Sequence, residues 1–228
     1  MINSICQFYD KYVDCWVRNP RISVRQSYLR LLGEVRCKRV IDIGCGCGFD
    51  LAELKVLGCY GTGLDISENS LQIARKRLGT VSKTDLLCED YFNYTPEQKF
   101  DIAVFSMVVM HYPNLDSVFK KLAQFLKPGG QLLLVTNNPY LVLMDYNLPY
   151  PQAGKSVEYI HKFVYNGEEI TLKKYLHAFS DYYNIAKSNG FMVDIFQEQV
   201  DYSDETSFFN PNPRNDIPNF ITFLYRKS

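Results

Sequence analysis

Val40-Ile41-Asp42-Ile43-Gly44-Cys45-Gly46-Cys47-Gly48-Phe49-Asp50 is the stretch that decides how this chain folds. A β-branched apolar run carrying one carboxylate, Asp42, passes directly into a loop with glycine at 44, 46 and 48, where a side chain would hold a ligand away from the backbone. Beyond the loop Leu51, Leu54 and Leu57 recur three apart, which predicts a helix over 49–57 that stops at Gly58. Strand, glycine loop and helix together offer backbone N–H groups and a positive helix end to a polar small molecule. The pattern is that of a nucleotide-type site.

The spacing bears on which nucleotide. A dinucleotide fingerprint needs a third glycine where this chain has Phe49, so that a pyrophosphate fits and helix and strand approach closely. Gly-x-Gly-x-Gly leaves bare backbone for an adenosine-like ligand with less room for a diphosphate. A second strand is predicted over 59–64, with Asp65 at its carboxyl end, where a carboxylate accepts hydrogen bonds from ribose hydroxyls.

Composition narrows the class further. A chain of 228 residues, 46% of them hydrophobic, can bury one large core. The 25 basic and 25 acidic residues cancel, and no run of like charge marks a polyanion surface, so nucleic acid is not the expected partner. No segment is long and apolar enough for a membrane span, and Met1 to Arg18 mixes charge into its apolar positions, unlike a signal peptide. Seven cysteines is an odd number, and Cys45, Cys47 and Cys59 fall in strands or the glycine loop where bridging would distort the site, so a reducing cytoplasm is expected. The wealth of Tyr and Phe suggests an aromatic-lined pocket.

Strands and helices alternate from residue 39: strand 39–43, helix 49–57, strand 59–64, helix 68–78 capped by Ser67, strands 85–88 and 100–105, helix 115–126 and strand 131–136. Such alternation predicts right-handed crossovers and a mainly parallel sheet, with its ligand at the carboxyl ends of the strands. Two helical patterns precede it in 1–34. Beyond it, 137–151 reads as loop, and runs 159–164 and 169–174 flank Asn166-Gly167, a hairpin signal. A helix over 180–189 and strands 191–197 and 220–225 close the chain. The expected organisation is one domain: an N-terminal helical lid (1–34), a core (35–136 and 179–228) and a substrate cap inserted at 137–178.

Taken in order, four segments resemble the class I S-adenosylmethionine-dependent methyltransferases: Val40 to Gly48, Gly63 to Ser67, Cys88 to Tyr91, and Phe100 to Ser106, followed by the turn Lys127-Pro128-Gly129-Gly130. The resemblance implies a Rossmann-like, seven-stranded, mainly parallel α/β sheet with helices on both faces, an N-terminal helical lid and an antiparallel hairpin cap. It implies S-adenosyl-L-methionine as cofactor and S-adenosyl-L-homocysteine as product. By the same likeness Gly44, Cys45 and Gly46 lie along the methionine part, Asp42 and Gly48 belong to the same cofactor-binding motif, Asp65 holds the ribose and Ile66 packs on adenine. Asp90 accepts the adenine amino group with Tyr91 beside it, and Phe105, Ser106 and Met107 line the face near the methyl group. Tyr9 and Trp16 resemble the aromatic edge of a lid over the sulfonium. A weaker likeness, through Asn137-Asn138-Pro139, is to the toxoflavin-type N-methyltransferases.

Methyl transfer from a sulfonium needs alignment, exclusion of water and, for a hydroxyl or protonated amine, removal of a proton. His111 is the candidate base, although a His before Tyr112-Pro113 also suits a helix cap or a loop support. His161, His177, Tyr12, Tyr140 and Tyr146 are candidate acceptor contacts from the lid and cap; Tyr9, Tyr12 and Trp16 equally fit a core stripe. No metal is expected, since Cys45 and Cys47 alone do not complete a tetrahedral set. The expected partner is a small-molecule acceptor methylated at oxygen or nitrogen, aromatic, heteroaromatic and secondary-metabolite acceptors included, on a monomer or homodimer. The competing readings are a cofactor-binding subunit without catalysis and a nicotinamide-dependent reductase, which Phe49 disfavours.

Overall fold

The computed structural model describes residues 2–18, 22–79, 84–200 and 217–228. Three short helices lead in: α1 (Ile2–Lys11), α2 (Val13–Arg18) and α3 (Ile22–Leu29), the last tightening into a 3-10 turn that Gly33 ends. The core then alternates β1 (Arg39–Ile43), α4 (Phe49–Val56), β2 (Tyr60–Asp65), α5 (Glu68–Leu78), β3 (Thr84–Cys88), β4 (Phe100–Ser106), α6 (Leu115–Phe125) and β5 (Leu126–Asn137). After α7 (Pro139–Tyr146) come the hairpin strands β6 (Val157–Tyr165) and β7 (Glu168–Leu176), then α8 (Phe179–Ser188), β8 (Phe191–Gln199) and β9 (Phe220–Lys227).

Seven strands form one sheet in the order β3-β2-β1-β4-β5-β9-β8. The first five run parallel, and β9 inserts antiparallel between β5 and β8. The expected doubly covered α/β sheet is therefore present. One face packs on α6 and α8 through Phe119, Phe125, Tyr182 and Phe191; the other packs on α3 and α4 through Tyr28, Leu32 and Leu54. Strand order reverses between β1 and β4, which opens a crevice at their carboxyl ends.

Local chemistry explains the boundaries. Ser67 accepts the Ser70 N–H and starts α5 where predicted, and Asn114 does the same for α6 through the Ser117 N–H. Asn166 and Gly167 both take positive φ, 51° and 82°, in the two-residue turn of the β6–β7 hairpin. That hairpin is a separate sheet, and its inner face, Phe163, Tyr165, Ile170 and Leu172, packs on Phe8 of α1. One expectation fails: 137–151 is not all loop. Asn138 accepts the Tyr140 N–H and Pro139 occupies the first helical turn, so α7 forms there with Leu141 and Val142 buried.

Candidate active site

A cavity of about 220 Å³ opens at the β1/β4 switch point. Its floor is the glycine loop. Gly44, at φ 73°, faces Val108, whose Cγ2 would lie 2.4 Å from an added Cβ, whereas nothing stands within 4 Å of one at Gly46. The loop is pinned from below by the Gly44 and Cys45 N–H groups donating to the Leu64 carbonyl. Asp65 then closes the side: one oxygen accepts the Gly46 N–H at 2.7 Å and the other the Ser67 N–H at 2.8 Å. A carboxylate has about four lone-pair sites, so two remain for a pair of hydroxyls. Withdrawal from solvent pushes the Asp65 carboxyl up to about 6, against the pull of those N–H donors.

At the other end of the cavity lies a charged cluster that sequence reasoning missed. Asp50, buried in the first turn of α4, accepts from Arg25 at 2.5 Å and from the Tyr28 hydroxyl at 2.8 Å, both from α3. Asp42 is buried beside it, with Oδ2 lacking a partner and its carboxyl pushed well up by burial and by Asp50. An orphaned carboxylate oxygen on a cavity wall fits an ammonium, and a neighbouring guanidinium fits a carboxylate. The two together suit the head of an amino acid. Arg25 also lies 4.9 Å over the Phe49 ring, so the residue that displaces the third glycine forms part of this wall.

The roof comes from α1 and the 109–111 turn. Asp10 accepts from the Ser67 hydroxyl at 2.6 Å and the Asn69 N–H at 3.2 Å, which docks α1 on the start of α5. Docking places the Tyr9 hydroxyl 2.9 Å from His111 Nε2, with the rings edge to face. His111 is buried, its Nδ1 has no partner, and burial followed by the charge of Lys174 pushes its pKa down to about 3. Met107, on the same wall, holds a positive φ of 59°, a conformation uncommon for a side-chain-bearing residue.

The profile of the family described as a methyltransferase domain matches residues 41–134, which span β1 to β5 and include the loop, Asp65 and His111. That match is to a methyltransferase domain, and the fold around it is shared with solved S-adenosylmethionine-dependent methyltransferases. Among curated relatives, malonyl-[acyl-carrier protein] O-methyltransferase 2 of Ilyobacter polytropus is 27% identical over 169 residues, 66% of this chain and 64% of that protein. Ubiquinone biosynthesis O-methyltransferase of Dechloromonas aromatica is 37% identical over 105 residues, 44% of this chain and 45% of that one. The chain thus spans less than two thirds of either relative. Magnesium protoporphyrin IX methyltransferase of Synechocystis PCC 6803 shares the fold at a TM-score of 0.66 and 18% identity, covering 100% of this chain and 99% of that one.

The fold brings Tyr9, Asp42, Gly44, Cys45, Gly46, Asp65, Ile66, Tyr91, Ser106, Met107 and His111 to this cavity. Others stand elsewhere. Gly48 is sealed against Ala74 of α5, because it sets the approach of two helices rather than facing the cavity. Phe105 is fully buried in the core against Tyr91. Asp90 accepts the Phe92 N–H in its own turn, and Glu89 takes the place on the wall.

The candidate acceptor contacts of the lid and cap stand outside the lining of this cavity. His177 bonds the Tyr112 carbonyl at 2.9 Å and pins the end of β7. Tyr146 and His161 bond each other beneath the hairpin, and Tyr12 packs on Phe8. Tyr140, half-exposed on α7, stacks on Tyr150 and Phe179 away from the cavity. The Trp16 side chain lies outside the described residues. Burial pushes the Cys45 and Cys47 thiols up, Cys47 to about 11, and no metal-type cluster occurs among the described residues. No described helix is long and apolar enough to cross a membrane.

Proposed function

We propose that this protein transfers a methyl group from S-adenosylmethionine to an oxygen atom of a small-molecule acceptor. The observation that carries the reading is that one cavity is lined by Asp42 and Arg25, which suit an amino-acid head, by the Asp65 carboxylate, which suits a ribose, and by the hydrogen-bonded pair Tyr9 and His111. The O-methyltransferase names of the curated relatives support oxygen as the target. S-adenosylmethionine supplies an electrophilic methyl on a sulfonium. The chain aligns the acceptor and excludes water: α1 covers the cavity, and the hairpin backs α1 through Phe8 and Phe163, whose rings lie 6.2 Å apart. The segments 1–34 and 137–178 act as lid and cap in this reading.

Calorimetry with S-adenosylhomocysteine tests it. Micromolar binding is expected, weakened roughly 10- to 100-fold in Asp65→Ala, the loss that follows from removing hydrogen bonds to a charged acceptor. Undiminished affinity places the nucleoside elsewhere.

The same titration has a pH signature. Because the Asp65 carboxyl is held up to about 6, above its unfolded value, the free protein keeps that proton where an unfolded chain would have lost it, and ionisation opposes folding as pH rises through 6. Ribose hydroxyls donate to the ionised form. Affinity for S-adenosylhomocysteine therefore increases from pH 5 to 7, and Asp65→Asn, measured over the same range, is expected to flatten the slope. A slope that persists in Asp65→Asn assigns it to another group.

A further inference from the structure

We propose that the acceptor lies in a second cavity, between α1 and the β6–β7 hairpin, and that it is an elongated molecule with its methyl-accepting oxygen at one end of an apolar body; this deepens the methyl-transfer reading and rests on it. The second cavity, of about 480 Å³, falls within the range of roughly 300–1,000 Å³ usual for small-molecule sites. Its walls come from α1, His111 and both strands of the hairpin. Tyr12, Tyr140, Tyr146, His161 and His177 line neither this cavity nor the one at the glycine loop, so a different set of side chains meets the acceptor.

Two side chains belong to both cavities, Ile5 of α1 and His111. The cavities therefore meet there, and a molecule seated in the second approaches the first beside the imidazole. His111 is 5% exposed, and its Nδ1 has no partner while Nε2 lies 2.9 Å from the Tyr9 hydroxyl. A buried polar atom left unpaired costs stability, so one placed at the junction of two cavities points to a ligand atom. A Tyr9 hydroxyl that donates to Nε2 leaves the imidazole proton on Nδ1, whose N–H then has the acceptor oxygen to donate to. The oxygen end of the acceptor is thereby fixed at the junction.

The rest of the lining selects the body. Phe8, Leu172 and Tyr175 are buried, and with Ile5 they give the inner part of the cavity an apolar and aromatic wall. Ile160, Thr171 and Lys173 are exposed and form the outer end. Lys173 is engaged there by Glu158 at 2.9 Å, so the rim suits an uncharged chain end better than an anionic one. From Thr171 to Tyr175 the β7 wall runs roughly 13 Å, at about 3.3 Å per residue. Covering apolar surface of that length is favourable in proportion to area, and a compact polar acceptor would leave most of it wet.

Binding to the protein saturated with S-adenosylhomocysteine tests the proposal apart from turnover. Two series are titrated by calorimetry, 4-alkylphenols from methyl to hexyl and alkanoates from butanoate to decanoate, with the intact chain, Thr171→Trp and Thr171→Val. In at least one series affinity is expected to rise roughly two- to fourfold per added methylene, the factor for burying a CH2 in part or in full. Thr171→Trp fills the outer end and is expected to weaken the longest member about tenfold or more while leaving the shortest within about twofold; Thr171→Val, close to threonine in volume, keeps the whole series. Residue 171 is exposed on a strand, where an aromatic side chain is well tolerated, so an unchanged melting temperature and unchanged S-adenosylhomocysteine affinity mark the variant as folded. Affinity that does not depend on chain length, no binding in either series, or a rise that Thr171→Trp leaves intact overturns the proposal. Absence of S-adenosylhomocysteine binding by the intact chain would instead overturn the underlying methyl-transfer reading.

Discussion

Gly48→Ala is expected to cost the protein about 2–4 kcal/mol of stability, whereas Gly46→Ala costs about 1 kcal/mol yet removes nucleoside binding. The two glycines share a loop and positive φ, 73° at Gly48 and 51° at Gly46, so the backbone strain of a β-carbon is common to both. Their surroundings differ. A Cβ at Gly48 would sit 2.9 Å from the Ala74 Cβ and 3.3 Å from its Cα, atoms of a helix interior that cannot swing aside. At Gly46 the same atom would project into open space, where a ligand has to approach. For a domain of this size the difference corresponds to a melting temperature lower by roughly 5–10 °C for Gly48→Ala, readable by calorimetric scanning. Ala74→Gly in the same chain removes the collision, so the double variant should recover more than the sum of the single effects allows. Equal melting temperatures for the two single variants would mean that α5 gives way and that the contact does not set the helix spacing.

That contrast also marks where sequence stops being informative. Glycine at alternate positions after a β-branched run announces a close backbone approach, but not to what; at Gly46 the approach is to open cavity, at Gly48 to Ala74. Elements whose signals are local were legible in full: β1 from its apolar run, α5 from the Ser67 cap to its last leucine, the hairpin from Asn166-Gly167. Asn138-Pro139 carried an equally local helix start, obscured by the Asn, Pro and Tyr content of the stretch. The Arg25–Tyr28–Asp50 cluster had no such signature, because α3 meets α4 across 22 to 25 positions with no periodic mark. Glu89 and Asp90 are neighbours of like chemistry on one turn, and only the direction of the chain decides which faces the cavity. Both histidines of the cap are read from sequence as acceptor contacts; in the structure His177 bonds the Tyr112 carbonyl and His161 bonds Tyr146, partners that no local pattern announces.

His111→Gln is expected to lower turnover by about two orders of magnitude while affinity for S-adenosylhomocysteine stays nearly unchanged. The size follows from orientation alone: a lost directing hydrogen bond lets the acceptor drift from the line of displacement, and misplacement on the order of an ångström costs about 100-fold. Tyr9→Phe should cost a similar factor through a different step. Burial pushes the Tyr9 hydroxyl well above its usual range, so it stays protonated and, 2.9 Å from Nε2, is expected to donate to it. Without it the imidazole is free to place its proton on either nitrogen, and Nδ1 no longer presents a fixed donor. The pH profile separates orientation from base catalysis. With the imidazole held near 3, His111 is neutral throughout the range from pH 5 upward, and no limb near 6.5 should appear in turnover of the intact protein. A limb at that pH which vanishes in His111→Gln would show that the side chain titrates during the reaction and removes a proton, and the acceptor would then have to be a hydroxyl.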